Sequence, residues 1–241
     1  VRVKAIIAYD GSSFEGFQRQ TRTKNTIQTK IEDTLFSLGI NSKIIASGRT
    51  DRGVHATGQV IHFDLPLYWQ NRDLNSLKHF INRRLDGIYF KSIKEVDDKF
   101  HARYSAKRRV YRYIFKDEVS VFERNYISKL SILDFNLLNR ALSCFVGEHN
   151  FSLFKKSGSI TNSDIRVIYR AFAIKRGEFN IIYFCANGFL RSQVRMMVDS
   201  ASKVANYRLS LDELKSQIDE VKRYNSSLAP ANGLYLAKVI Y

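Results

Sequence analysis

Ser47-Gly48-Arg49-Thr50-Asp51-Arg52-Gly53-Val54-His55-Ala56 is a polar, glycine-punctuated loop between two apolar runs, Lys43–Ala46 and Gln59–Leu65. Both runs read as strands, the second closed by Pro66, so the loop joins two strands. It presents a guanidinium and a carboxylate two residues apart. In an extended segment Arg49 and Asp51 fall on one face, where an ion pair would orient the acid. A held carboxylate serves as a nucleophile or a base. Asp-x-Gly is equally a common turn signature, because Asp bonds its own backbone and Gly accepts positive φ. Spacing alone leaves both readings standing.

Working outward, strand and helix signals alternate on either side of this loop. Residues 1–9 alternate as a strand. Ile27, Ile31, Leu35 and Leu38 lie on one face of a helix over 26–38, with Asn25 and Gln28 predicting a capping box and Gly39 the C-terminal cap. Asp73 predicts the cap of a helix bearing Leu74, Leu77, Ile81 and Leu85, which ends near Asp86-Gly87. Ile88–Val96 reads as a strand. In the second half, Val110–Phe115 is a strand and Asp134 opens a helix with Leu138, Leu142 and Phe145. Ile168–Lys175 and Phe179–Ala186 form a hairpin around Gly177-Glu178. Leu190, Val194, Met197, Ala201 and Val204 mark a long helix. Ser210 with Glu213 is a second capping box, opening a helix with Leu214, Ile218 and Val221, and Leu234–Tyr241 is the last strand. This order predicts an α/β or α+β layer, with two sheet-and-helix lobes divided near residue 105.

Bulk composition narrows the partners. The 241 residues are 44% hydrophobic, which suits a packed core. Lys and Arg total 39 against 23 Asp and Glu, a net charge of +16. Such a chain attracts a polyanion, nucleic acid first and anionic membrane second. No apolar run approaches the roughly 20 residues that span a bilayer, and no helix sets a Lys/Arg face against a broad apolar face. No membrane role is expected. The first residues lack a signal-peptide layout, and Cys144 and Cys185 stand apart with no CxxC, so a reducing cytoplasm is the expected setting. His55, His62, His79, His101 and His149 show no metal spacing, and no metal is expected.

A second constellation spans Phe100 to Lys116. Arg103, Lys107, Arg108, Arg109, Arg112 and Lys116 give six cations and no acid. Phe100, Tyr104, Tyr111, Tyr113 and Phe115 interleave with them. Cations bind phosphates and aromatic faces stack on unpaired bases, the usual equipment for looped or single-stranded RNA. Tyr111, Tyr113 and Phe115 share one strand face, which reads as core for the last two; Tyr111 fits core and pocket floor alike. Arg191 and Arg195 stand four apart on the long helix. There Arg195 either pairs with Asp199 or holds an anion at a cleft edge. Tyr9-Asp10-Gly11-Ser12 and Gly16-Phe17-Gln18-Arg19-Gln20 form a strand end and polar loop, suited to touching RNA or to turning the chain.

Gly48-Arg49-Thr50-Asp51-Arg52-Gly53-Val54-His55-Ala56 resembles the signature loop of the TruA-type tRNA pseudouridine synthases. The 9–12 and 16–20 segments resemble it too, as do Phe100-His101-Ala102-Arg103-Tyr104-Ser105-Ala106, Arg109-Val110-Tyr111-Arg112-Tyr113, Gly147-Glu148-His149-Asn150-Phe151 and Gly233-Leu234-Tyr235-Leu236. The likeness runs nearly end to end and in order. It implies an α+β fold of two lobes, each a mainly antiparallel sheet with helices on one face, meeting in a basic cleft. Lobe 1–105 would carry the Asp loop and lobe 106–241 the tyrosine and basic residue. It implies Asp51 as the nucleophile that opens the C1′–N1 bond of a uridine, whose uracil is rejoined through C5 as pseudouridine. Arg49 would pair with the acid and hold the flipped uridine. Tyr111 would pack on the base, and Arg195 would approach the acid from the other side. Phe100, His101, Arg103 and Tyr104 match a tRNA-contacting segment. The implied substrate is the anticodon arm of tRNA at positions 38, 39 and 40, the implied assembly a homodimer, and no cofactor is implied for an isomerisation. Phe17 departs from a usual tryptophan, and Met196-Met197-Val198 from usual glycines.

A non-catalytic RNA-binding protein or RNA chaperone of the same fold is the rival reading, since the basic aromatic stretch serves it equally. A nuclease or glycosidase fits less well, because Asp51 has no evident acidic partner in sequence.

Overall fold

The computed structural model describes residues 1–69, 71–156, 158 and 162–241. Among these the chain forms ten strands and five α-helices, an α+β protein whose strands pair mostly antiparallel, as expected. It divides into two compact units, Val1–Lys107 with Tyr235–Tyr241, and Arg108–Leu234. The last strand therefore returns to the first unit.

The first unit holds β1 (Arg2–Tyr9), α1 (Ile27–Ser37), β2 (Ile45–Ala46), β3 (His55–Asp64), α2 (Leu74–Asn82), β4 (Ile88–Glu95) and, from the end of the chain, β10 (Leu234–Ile240). β1 lies between β3 and β4 and is antiparallel to both. The far edge of β3 takes β2 antiparallel and β10 parallel, through Tyr235↔His55 and Leu236↔Ala56. Val3, Ala5 and Ile7 of β1 are fully buried, as are Ile27, Ile31 and Leu35 of α1. Period two in the strand and period 3.6 in the helix thus deliver apolar side chains to one core. Asp73 caps α2 as expected, accepting from the Asn75 and Ser76 N–H groups. α2 stops at Asn82, so Leu85 lies beyond it. The Asn82 amide ties the helix to β4 by accepting from Phe90 N–H (2.7 Å) and donating to Phe90 O (3.0 Å).

The cap of α1 differs from the expected one. Thr26 caps it, accepting the Thr29 N–H at 3.2 Å. Asn25 is drawn to the Ser13 carbonyl (2.8 Å), and Gln28 accepts from Arg19 N–H (3.0 Å) while donating to Glu32 (3.0 Å). Both side chains of the expected box are engaged elsewhere. β3 also begins earlier than its apolar run, at His55, and β2 is only Ile45–Ala46.

The second unit holds β5 (Arg108–Lys116), β6 (Ser128–Lys129), α3 (Phe135–Ser143), β7 (Gly147–Asn150), β8 (Ile165–Arg176), β9 (Phe179–Ala186), α4 (Gln193–Ala205) and α5 (Leu211–Ile218). Its sheet runs β5-β9-β8-β7, all antiparallel, with β6 parallel to β5. Register places Tyr111 with Phe184 and Ala171, and Tyr113 with Ile182 and Ala173. This face is buried, and α3 packs on β8 and on α4. The opposite face carries Arg112, Tyr183 and Phe172, the two rings stacked at 5.1 Å. The Ser210–Glu213 capping box forms as expected, but α5 ends before Val221, which is exposed. Arg191 precedes α4, so only Arg195 of the expected pair stands on the helix.

Candidate active site

In the first unit the Asp51 loop hangs between two anchors. The upstream anchor is Thr50, 7% exposed. Its hydroxyl shares a hydrogen bond with the Tyr9 phenol at 2.8 Å, and its carbonyl accepts the Phe17 N–H at 3.1 Å. Burial pushes the Tyr9 phenol's pKa up, only partly offset by Thr50 and Gln59, so Tyr9 stays neutral. The downstream anchor is residues 53–55, all held by Gly11. Gly53 N–H donates to Gly11 O at 3.2 Å, and Gly11 N–H donates to His55 Nδ1 at 3.0 Å. Gly11 also lies so close to Val54 that a Cβ on it would stand 2.0 Å from the Val54 carbonyl oxygen. Between the anchors, Val54 N–H donates to Asp51 O at 3.1 Å, closing a β-turn over Arg52-Gly53 with Gly53 at φ +79°. Asp51 opens that turn, half-buried, and Arg52 reaches Glu15 at 3.3 Å. Behind the loop, fully buried Gln59 accepts from the Ser47 hydroxyl (2.7 Å) and donates to Gly48 O (2.8 Å).

His55 is 2% exposed, and its ring stacks on Tyr235 of β10 at 4.7 Å. Because Nδ1 accepts from Gly11, the neutral ring carries its proton on Nε2. The Asp10 carboxylate lies 3.3 Å from Nδ1, a charged pair only where the ring is protonated. Asp10 also accepts from Ser12 N–H (2.9 Å) and the Ser12 hydroxyl (2.6 Å).

Arg49 is exposed, and the turn over Arg52-Gly53 opens at Asp51. Gly48 takes no part in the turn, since a Cβ there would meet nothing within 4 Å, and of the two loop glycines only Gly53 has a left-handed φ. Sequence reasoning missed Tyr9, Gly11, Thr50, His55 and Gln59 as the residues that hold the acid. The Tyr9-Asp10-Gly11-Ser12 segment was visible as a turn or an RNA contact; here it serves the turn.

In the second unit, Tyr111 is 9% exposed on β5 and meets the Phe189 ring edge-on at 5.2 Å. Arg195, on the first turn of α4, donates from Nε to Ala229 O at 2.7 Å. Asp199 is engaged by Lys203 (3.0 Å) and by the Asn225 amide (2.8 Å). Tyr113, one strand step in from Tyr111, donates to Ser128 at 2.7 Å; burial raises its pKa, and the nearby Arg195 charge opposes this.

Four cations of the 100–116 stretch find partners from elsewhere in the chain. Lys116 pairs with Glu178 (2.8 Å) and Glu123 (2.9 Å), which raise its pKa in that order. Arg109 donates to Asn187 O at 2.6 Å. Arg108 lies over the Tyr169 ring (4.6 Å) and Arg112 over Tyr183 (5.9 Å).

Phe100, His101, Arg103 and Tyr104 cluster in the first unit. The His101 ring stacks on Tyr104 at 4.3 Å, and Arg103 lies 5.6 Å from the same ring, which is 76% exposed. His101 Nδ1 accepts from Arg103 and Tyr104 N–H, both at 3.2 Å. Beneath them, buried His62 accepts the Ala102 N–H at 3.1 Å. Its pKa is lowered to about 4, first by burial and then by the Arg2 and His101 charges. Phe100 packs on Tyr241 at 4.9 Å. Among the described residues no group of three or more His, Cys, Asp or Glu side chains is placed to hold a metal. Nor is any helix there long and apolar enough to cross a membrane.

A basic α+β chain that fixes one aspartate-bearing turn by its backbone, and keeps a buried tyrosine on a strand of its second unit, has the parts of an RNA-modifying isomerase. The family described as tRNA pseudouridine synthase matches residues 5–105 and 141–241, and the chain belongs to that family. It is 42% identical to the tRNA pseudouridine synthase A of Helicobacter hepaticus, over 99% of this chain and 98% of the relative. It is 38% identical to that of Campylobacter jejuni (serotype O:6) over the full length of both, and 39% identical to that of Helicobacter pylori strain P12 over 99% and 98%.

Proposed function

We propose that this chain isomerises uridine to pseudouridine in the anticodon arm of tRNAs, at positions 38, 39 and 40, with Asp51 as the nucleophile. The observation that carries this reading is the two-anchor loop, which spends five buried groups on holding one half-buried carboxylate turn. A module that only bound RNA would gain nothing from fixing an anion beside phosphates. The reaction balances within the nucleotide. The C1′–N1 bond breaks, a C1′–C5 bond forms, C5 gives up its hydrogen and N1 takes one. No electron or group is transferred to or from an outside molecule.

The remaining roles follow by position. Arg49, exposed beside the turn, would hold the extruded uridine, which pairing and stacking otherwise hide. Tyr111 would lie against the uracil, and Arg195 would supply the second positive charge near the acid. Phe100, His101, Arg103 and Tyr104 would contact tRNA, through the exposed Tyr104 ring and the Arg103 cation. The working form would be a cytoplasmic homodimer with tRNA spanning both copies. The Asp51 loop would act from one lobe and Tyr111 with Arg195 from the other. The test is Asp51→Asn with tRNA carrying C5-tritiated uridine. Tritium release should vanish while tRNA affinity stays within about three-fold. Full turnover by that variant would end the assignment.

A further inference from the structure

We propose that His55 is a positioning residue for the Asp51 turn, acting through Gly11. The inference rests on reading Asp51 as the nucleophile. Residues 53, 54 and 55 each meet Gly11 differently: Gly53 N–H bonds its carbonyl, the Val54 carbonyl packs where its Cβ would be, and His55 Nδ1 accepts its N–H. His55 is the only side chain among these three contacts, and it is buried at 2% exposure. The ring cannot drift, because β10 backs it: Tyr235 stacks on it at 4.7 Å with the planes 21° apart. The acceptor on Nδ1 thereby fixes the Gly11 amide. Gly11 fixes Gly53 and Val54, and Val54 N–H closes the turn on the Asp51 carbonyl at 3.1 Å. Asp10 is a titratable group facing Nδ1, at 3.3 Å. A proton on Nδ1 would turn the ring from a partner of Gly11 into a partner of Asp10.

The hydrogen bond and the ring stack can be separated. His55→Asn keeps an acceptor at the δ1 position without the ring, and His55→Phe keeps a ring without the acceptor. Tritium release from C5-labelled tRNA gives kcat and KM. Hydrogen exchange of the Gly11 and Gly53 amides, on the free protein, reads the clamp without reference to activity. His55→Asn should keep both amides protected, with kcat within about three-fold of the parent. His55→Phe should lose Gly11 protection and about 100-fold in kcat, the cost of an ångström-scale displacement of a reacting group, with KM nearly unchanged. Should the phenylalanine variant not fold, His55→Gln takes its place, since its amide reaches the ε2 position and leaves Gly11 unbonded. Wild-type kcat in a variant that has lost Gly11 protection overturns the proposal. So does an asparagine variant as slow as the phenylalanine one, or a fall in activity matched by the fall in folded protein. Turnover by Asp51→Asn would instead remove the nucleophile reading while leaving the exchange result standing.

Discussion

Gly11→Ala should be among the most damaging single-methyl additions in this chain, although residue 11 bears no reacting group. A Cβ at this position would lie 2.0 Å from the Val54 carbonyl oxygen and 2.5 Å from its carbon. Ordinary contact starts at 3.4 Å, so the two backbones must part by more than an ångström. Neither is a flexible side-chain end, and both are tied: Gly11 to His55 and Gly53, Val54 to Asp51. The displacement therefore passes to the Asp51 turn. A shift of about 1 Å in a positioned reacting group costs on the order of 100-fold in rate. Overpacking of this kind also costs about 1–3 kcal/mol of stability. The assay is tritium release at 25 °C on protein shown by urea denaturation to be folded, with tRNA affinity measured in parallel. Gly48→Ala, in the same loop, is the control. Its Cβ meets nothing within 4 Å and its φ is not left-handed, so kcat should hold and stability should rise by about 0.4–1 kcal/mol. Wild-type kcat in Gly11→Ala, or an equal loss in Gly48→Ala, would refute the clamp.

Stability should depend on pH through His62, whose pKa of about 4 lies below the ordinary 6.5. The unfolded chain binds this proton more readily than the folded one. The contribution is therefore complete above pH 6.5 and lost as pH falls through 4. His62→Asn keeps an acceptor for Ala102 N–H but does not titrate, so urea midpoints between pH 7 and 4 should fall less steeply in the variant; parallel slopes would refute this. Arg103→Ala should weaken tRNA binding uniformly and reduce the salt slope of log Kd by about one, the signature of one lost phosphate contact. An unchanged slope would place Arg103 outside the RNA contact.

The parts of the chain that were legible act locally. Asp73, Asp134 and Ser210 cap their helices where the sequence puts them, because a cap needs only a side-chain oxygen and N–H groups two or three residues on. At α1 two cap-competent residues stand side by side, and distant groups choose between them. Ser13 takes Asn25 and Arg19 takes Gln28, leaving Thr26. The return of β10 to β3 is a parallel pairing across most of the chain, and nothing in the alternation of Leu234–Ile240 names its partner.

The candidate site divides the same way. Asp51, Arg49, Tyr111 and Arg195 were named together through the resemblance, since spacing alone left Asp51 between turn and catalyst and Tyr111 between core and pocket floor. The loop that holds Asp51 works mostly through backbone atoms: the Thr50 carbonyl, the Gly53 amide, both polar atoms of Gly11, the Val54 carbonyl. A backbone atom is the same in every residue, so pattern reading cannot find it. Few side chains betray the arrangement, among them the Tyr9 phenol, the Thr50 hydroxyl, the His55 ring and the Gln59 amide. Each lies within two residues of a glycine or the acid and resembles an ordinary turn residue. A buried polar side chain must find a partner. Tyr9 and His55 therefore mark where that hidden backbone network has to close, and they are the positions at which a small chemical change should read out as a large change in rate.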